Sequence, residues 1–297
     1  MGIRINPNPW TDLLTGLALD QQQENQAIQE LSTGKKVNQP SDDPAAVAGL
    51  IVNNAETSDV NTYLSNISTL QNSMQEADSN LNSVVTALTQ AISLGTEGAT
   101  GSLNQTDRNA LVQEVNGIQQ QILEYANQSF EGNYLFAGTA VNTAPFVADS
   151  SSSSGVSYVS NSGVNSVQIG DGQTVPANLP GNQIFTASGS DVFQALSDLS
   201  SALSSGSNIS SAETEVQNAF NYVSAQRTFY GTTIDRLNTA TSFLNQESTQ
   251  LATEQNNLVG VDMATAASQL TQAEVALNAA MAAGGKISDT SLLNYLT

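Results

Sequence analysis

Two adjacent carboxylates, Asp42 and Asp43, stand in the stretch "LSTGKKVNQPSDDPAA", residues 31–46, close to Lys35 and Lys36. A third, Asp171, lies in "VQIGDGQT". Acids of this kind could serve a glycoside hydrolase or hold a divalent cation. Hydrolysis of a glycosidic bond needs two carboxyl groups several ångströms apart in environments that push their pKa values in opposite directions. Neighbours in one loop rarely meet that requirement. The chain of 297 residues has no His and no Cys, which excludes His-based triads, thiol nucleophiles and the usual zinc sites. No EF-hand spacing or phosphate loop is present, and the single G-x-G in "VQIGDGQT" suits a hairpin turn better than a ligand. No catalytic residue, cofactor or metal ligand is expected. An enzyme using Asp42, Asp43 or Asp171 stands as the alternative, and a surface adhesion module presenting residues 139–190 as another.

The elements around the acid pair explain it without chemistry. Gly34 follows a helical pattern and suits the left-handed position past a helix end, where Lys35 and Lys36 interact favourably with the helix dipole. Asp43 before Pro44 is the matching start: Asp caps, Pro occupies the first helical position, and Pro pushes the residue before it toward extended backbone. Residues 34–44, with Ser41 and Asp42 inside, therefore read as a joint that stops one helix and starts the next.

The composition supports a core but few charges. Only 11% of residues are charged, against roughly 25% in average soluble proteins. Lys+Arg 7 against Asp+Glu 27 gives a net charge of -20. Nucleic acid and anionic membranes are bound through clustered basic residues, so neither is expected as a partner. The N-terminal stretch has no apolar run fitting a signal peptide, and no segment reaches transmembrane length.

Hydrophobic spacing sets the architecture. Val60, Ile67, Met74, Leu81 and Leu88 lie seven apart, with Tyr63, Leu70, Ala77, Val84 and Ala91 three residues after each. This is a coiled-coil register over a helix of about 50 residues. Val216, Val223, Tyr230, Leu237, Leu244, Leu251 and Leu258 repeat the spacing, and the two seams invite antiparallel pairing. Leu111, Val115, Ile118, Ile122 and Tyr125 predict a third helix, capped by Asn104 or Thr106. From about residue 139 to 190, short Val-rich alternations between Ser, Gly, Asn and Pro predict a small β-rich insertion, with the serine run at 150–155 as an exposed loop. The fold class is thus mainly α with a small β-rich insertion, an elongated antiparallel bundle of N- and C-terminal segments. Its expected divisions are 1–33 with 262–297, the joint, 45–138 with 191–261, and 139–190.

The two ends carry narrow apolar stripes. Leu13, Leu14, Leu17, Ile28 and Leu31 form one, interrupted by "DQQQEN"; Met263, Leu270 and Leu277 with Ala266, Ala273 and Ala280 form the other. Ordering each residue costs on the order of 1–2 kcal/mol, which stripes this thin offset poorly. The ends are expected to order when a partner supplies the missing surface.

With its Lys/Gly joint, "VNQPSDDPAA", "GNYLFAGTAVNTAPF" at 132–146 and the tail "SLLNYLT", the chain resembles the flagellin superfamily of bacterial axial proteins. Within it, Pro44 and the two last segments are similar to the branch that joins hook to filament; a flagellin with a short middle domain is the alternative. The resemblance implies a subunit of an extracellular ring or short helical layer, exported through the flagellar type III apparatus with a chaperone and without a cleaved signal peptide. Its implied neighbours are copies of itself, the adjoining junction protein on the hook side and flagellin on the filament side. The expected assembly contacts are Leu13, Leu17, Ile28 and Leu31 against Leu270, Leu277 and Met281, with Leu292, Leu293, Tyr295 and Leu296 as a terminal motif. Lys35 or Lys36 is expected to meet an acid of a neighbouring subunit.

Overall fold

The structure, a computed structural model, describes residues 9–100 and 103–289. In chain order it contains α1 (Pro9–Thr33), α2 (Pro44–Gly98), α3 (Gln105–Ala126), β1 (Ser129–Phe130), β2 (Asn133–Tyr134), β3 (Phe146–Ala148), β4 (Val156–Tyr158), β5 (Ser166–Gly170), β6 (Gln173–Pro176), α4 (Gly181–Ile184), α5 (Val192–Ser205), α6 (Ile209–Val259) and α7 (Met263–Asp289). The chain divides into two compact units: residues up to Asp59 together with those from Glu247, and Val60–Gln246.

In the second unit the heptad positions become the core. Val60, Ile67, Met74, Leu81, Leu88, Val216, Val223, Tyr230, Leu237 and Leu244 are all buried. Polar contacts fix the register of α2 on α6. Gln71 Nε2 donates to Asn238 Oδ1 at 2.9 Å, the Arg227 guanidinium grips Asp78 through two bonds of 2.9 and 3.0 Å, and Thr96 Oγ1 donates to Glu213 Oε1 at 3.0 Å. Numbers fall along α6 as they rise along α2, so the pairing is antiparallel, and the fold class expected from the spacing is the one observed. Asn104 caps α3 by accepting from Asp107 N at 3.0 Å. The buried stripe of α3 ends on Ala126, with Tyr125 half-buried beside it.

The β-rich part consists of three two-stranded antiparallel pairs, β1–β2, β3–β4 and β5–β6. The first starts at Ser129, ahead of residue 139, because α3 already stops at the cap Asn127. What holds this part together is aromatic. Phe146 sits 5.1 Å from Tyr158, 5.4 Å from Phe185 and 5.5 Å from Phe193, ring centre to ring centre. Phe193 opens α5, whose N-cap Asp191 accepts from Gln194 N at 2.9 Å.

The serine run is largely the exposed loop its composition suggests, but it is pinned at one point. Ser154 is buried, its carbonyl accepts from Gln119 Nε2 at 2.7 Å, and the Ser153 carbonyl accepts from Ser197 Oγ at 3.1 Å. Asp149 organises the turn by accepting from Ser151 Oγ at 2.5 Å and Ser157 Oγ at 2.6 Å. These hydroxyls stabilise the carboxylate and lower its pKa to about 2. In the unfolded chain an Asp protonates near about 3.9. The depressed folded value means that the turn's contribution is fully present above that pH and is lost as pH falls toward the folded value. An acid titration followed at the Ser151 and Ser157 amides is expected to show its midpoint close to 2; a midpoint near 4 would contradict the hydroxyl cage.

Candidate assembly interface

The first unit pairs the two ends of the chain. Leu13 of α1 lies against Gly284 of α7, while Ala27 and Glu30 line a groove with Gln269 and Ala273, so the helices run antiparallel. The seam keeps strict heptads. On α7 it is formed by Ala266, Ala273 and Ala280 with Leu270, Leu277 and Gly284, and on α1 by Leu13, Asp20 and Ala27 with Leu17, Glu24 and Leu31, all half-buried or buried. The "DQQQEN" stretch does not interrupt α1: its Leu, Gln, Glu and Ala neighbours are good helix formers, and Asp20 and Glu24 take seam positions.

The seam mixes small residues with leucines, and other large apolar side chains stay outside it. Trp10 (47%), Leu14 (62%) and Ile28 (47%) are exposed on α1, and Met263 (52%), Val275 (63%) and Met281 (50%) on α7. At 100° per residue, Trp10, Leu14 and Ile28 fall on one face, as do Met263 and Met281. Ile28 and Met281, expected to pack onto the opposite helix, are exposed on the faces turned away from the seam. Leu13, Leu17, Leu31, Leu270 and Leu277 are half-buried in the seam. Leu292, Leu293, Tyr295 and Leu296 lie outside the described residues.

The joint is capped at every turn. Gly34 adopts φ 69° and its N–H donates to Glu30 O at 2.9 Å, closing α1. Asp43 Oδ1 accepts from Ala45 N and Ala46 N, each at 3.0 Å, and starts α2. Asp42 Oδ2 accepts from Asn38 N at 2.9 Å and Gln39 N at 2.7 Å. Both carboxylates are therefore spent on backbone N–H groups. Asp171 sits on the exposed β5–β6 turn of the other unit. Among the described residues no three carboxylates gather as a metal site. Asp43→Ala is expected to cost about 1 kcal/mol and Asp43→Ser much less, read by thermal unfolding; an equal loss in both would contradict capping.

Sequence reading missed the partner of this joint. Lys36 N donates to Val259 O at 2.8 Å and Val261 N to Gly34 O at 3.1 Å, with Lys35 bridging Gly260, so the two inter-helix connections form a short antiparallel pair. Val37, Ala46 and Val259 are buried beneath it with Val47, Leu50 and Leu258 packed around them. Lys36 Nζ donates to Asn257 O at 3.4 Å, near the end of α6, while the Lys35 side chain is exposed. The signal was present in "LVGVDMA": Gly260 ends α6 and Asp262 caps α7, accepting from Ala264 N at 2.9 Å and Thr265 N at 3.3 Å. These N–H groups hold the Asp262 pKa below its ordinary value. The Asp262 cap repeats that of Asp43 on the returning segment, while Gly260 ends α6 without the left-handed turn of Gly34.

Residues 9–141 match the bacterial flagellin N-terminal helical region and residues 214–296 the bacterial flagellin C-terminal helical region. Flagellar hook-associated protein 3 of Salmonella typhimurium is 27% identical over 295 residues, covering 90% of each chain. Its counterpart in Escherichia coli is 26% identical over 279 residues, covering 84% of this chain and 86% of that one. The crystal structure of the flagellar junction protein of Legionella pneumophila shares the fold, with a TM-score of 0.61 at 12% identity over 71% of this chain and 100% of that one. Matched in both helical regions, and paralleled over most of its length by hook-associated protein 3, the chain belongs to the bacterial flagellin family of structural flagellar proteins.

Proposed function

We propose that this chain is a structural subunit of the bacterial flagellum that joins the hook to the flagellin filament and assembles through its terminal helices. The observation that carries the assembly mode is the distribution of exposed apolar side chains. Of thirteen large hydrophobics that are exposed among the described residues, Trp10, Leu14, Leu19, Ile28, Ile51, Val52, Met263, Val275 and Met281 belong to the unit formed by the two ends. Apolar surface concentrated in this way marks an interaction site, and repeated head-to-tail contacts between identical subunits generate rings or helices. The choice of junction over filament is supported by the hook-associated relatives, which match this chain nearly end to end.

On this reading the partners are further copies, the adjoining junction protein toward the hook and flagellin toward the filament. Export proceeds through the flagellar type III apparatus with a chaperone and without a cleaved signal peptide. Lys35, exposed on the joint, meets an acid of a neighbour. Residues 1–33 with 262–297 form the inner layer, 34–44 the joint, 45–138 with 191–261 the bundle, and 139–190 the outward part. The protein acts by burial and geometry and catalyses nothing. Localising a labelled chain along the flagellum tests this: a single zone at the distal end of the hook supports a junction, whereas label along the whole filament supports a flagellin with a short middle domain.

The free chain also carries an expectation. The described parts of α1 and α7 bury only Ala27, Glu30, Ala266 and Ala273, far less than the α2 and α6 seams, and local stability follows buried contacts. Amides of residues 10–30 and 263–285 are expected to exchange at least about 100-fold faster than those of 67–91 in the unassembled protein. Equal protection would refute assembly-dependent ordering of the ends.

A further inference from the structure

On the long helices of the second unit one aromatic side chain departs from the buried pattern: Phe243 on α6 is 65% exposed between the buried Leu237 and Leu244. Arg236 lies seven residues before it, two turns along the same face, and is exposed with no ion-pair partner among the described residues. Arg and aromatic side chains are the types that dominate binding energy at protein interfaces. Arg227, by contrast, is fully engaged by Asp78 and Asn82.

The same unit holds a pocket with the complementary character. Leu70, Val141, Val167, Phe130 and Tyr134 give its lining apolar surface, and Glu131 lines it with a carboxylate. Glu131 is exposed and, with Gly132, makes the two-residue turn between β1 and β2, where φ of 51° and 83° is the geometry such a tight hairpin needs. A free carboxylate on an apolar pocket is what an Arg–Phe pair would recognise.

The register places the two features at one height. With Gln71 bonded to Asn238 and Asp78 to Arg227, Phe243 lies opposite the part of α2 near Asn66, and Arg236 opposite the part near Ser73. Asn66 and Ser73 both line the pocket. We propose that Phe243 of one copy inserts into this pocket of the next copy, with Arg236 paired to Glu131. The occupant is a second copy because knob and pocket share one level along the helices, so neighbours side by side in a layer meet without sliding. Charge adds to this: in a chain of net charge -20, an unpaired Arg beside an apolar knob is suited to an acidic neighbour. The contact joins two different surfaces, so it propagates around a ring or helix. This inference rests on the lateral assembly proposed above.

The absence of cysteine permits a clean test. Cells co-express two full-length chains, one with Thr239→Cys beside the knob and one with Thr69→Cys in the pocket, and their flagella are oxidised. Disulfide heterodimers are expected to exceed either homodimer. Arg236→Glu on the first chain is expected to reduce heterodimer yield about tenfold, and Glu131→Arg on the second to restore it. Flagella that assemble normally but give no heterodimer, or a yield that Arg236→Glu does not change, would overturn the contact while leaving the junction role standing. A labelled chain found along the whole filament would instead overturn the junction role.

Discussion

Phe146→Ala is expected to destabilise the chain by about 3–5 kcal/mol, the range for truncating a buried aromatic. Phe146 is 1% exposed and is the shared member of three ring contacts, to Tyr158, Phe185 and Phe193. Its backbone is held as firmly as its ring: the N–H donates to Asn127 Oδ1 at 2.9 Å, and the carbonyl accepts from Asn127 Nδ2 at 2.8 Å. Asn127 thus imitates a strand partner on the outer edge of β3. Gly181 packs directly on the ring, leaving no space for a Cβ there. Denaturation followed by the near-UV signal of the aromatic cluster measures the effect, and Phe146→Leu is expected to lose clearly less. A loss below about 1 kcal/mol for Phe146→Ala would show that the cluster is not the core of the β-rich part.

The second large effect is on assembly and not on folding. Leu14→Ser, Ile28→Ser and Met281→Ser together remove three side chains that are each about half exposed or more in the free chain. Surface changes of this kind alter stability within about 0.5 kcal/mol each. Burying such a side chain against a neighbour stabilises by up to about 1.5–3 kcal/mol. The triple variant is therefore expected to keep its melting temperature within a few degrees and to lose incorporation into flagella by more than about 100-fold. Unchanged incorporation would contradict the assignment of this face to a subunit contact.

The two outcomes separate what the amino-acid pattern revealed from what it hid. The α2 and α6 seams were legible because one residue in seven repeats over many turns, and a buried face with that period has few alternatives. Asp43, Asn104 and Gly34 were legible because caps act within three or four residues. The phase of α1 was not, because Leu14 and Ile28 are as apolar as Leu13 and Leu17, and apolarity alone does not choose between the two faces. The union of 34–36 with 259–261 joins segments more than two hundred residues apart, and local pattern carries no record of that. The serine turn was legible as an exposed loop, but its anchors were not: Asp149, Gln119 and Ser197 supply the bonds that fix it.

The unusual surface suits the proposed assembly contacts. Many Ser and Thr hydroxyls on the helices donate to the carbonyl four residues earlier, as Thr86, Thr89, Thr239, Thr253 and Thr271 do. Their hydrogen bonds are already made within the helix. Such a face can be buried against another subunit without leaving donors unpaired, and with few charges it avoids the desolvation that ion-rich surfaces suffer.

Deleting the gene tests the junction role most directly. Complete hooks without filaments and flagellin released into the medium are expected, with motility restored by the wild-type gene and not by the Leu14→Ser, Ile28→Ser, Met281→Ser variant. Filaments that remain attached to hooks in the deletion strain would contradict it.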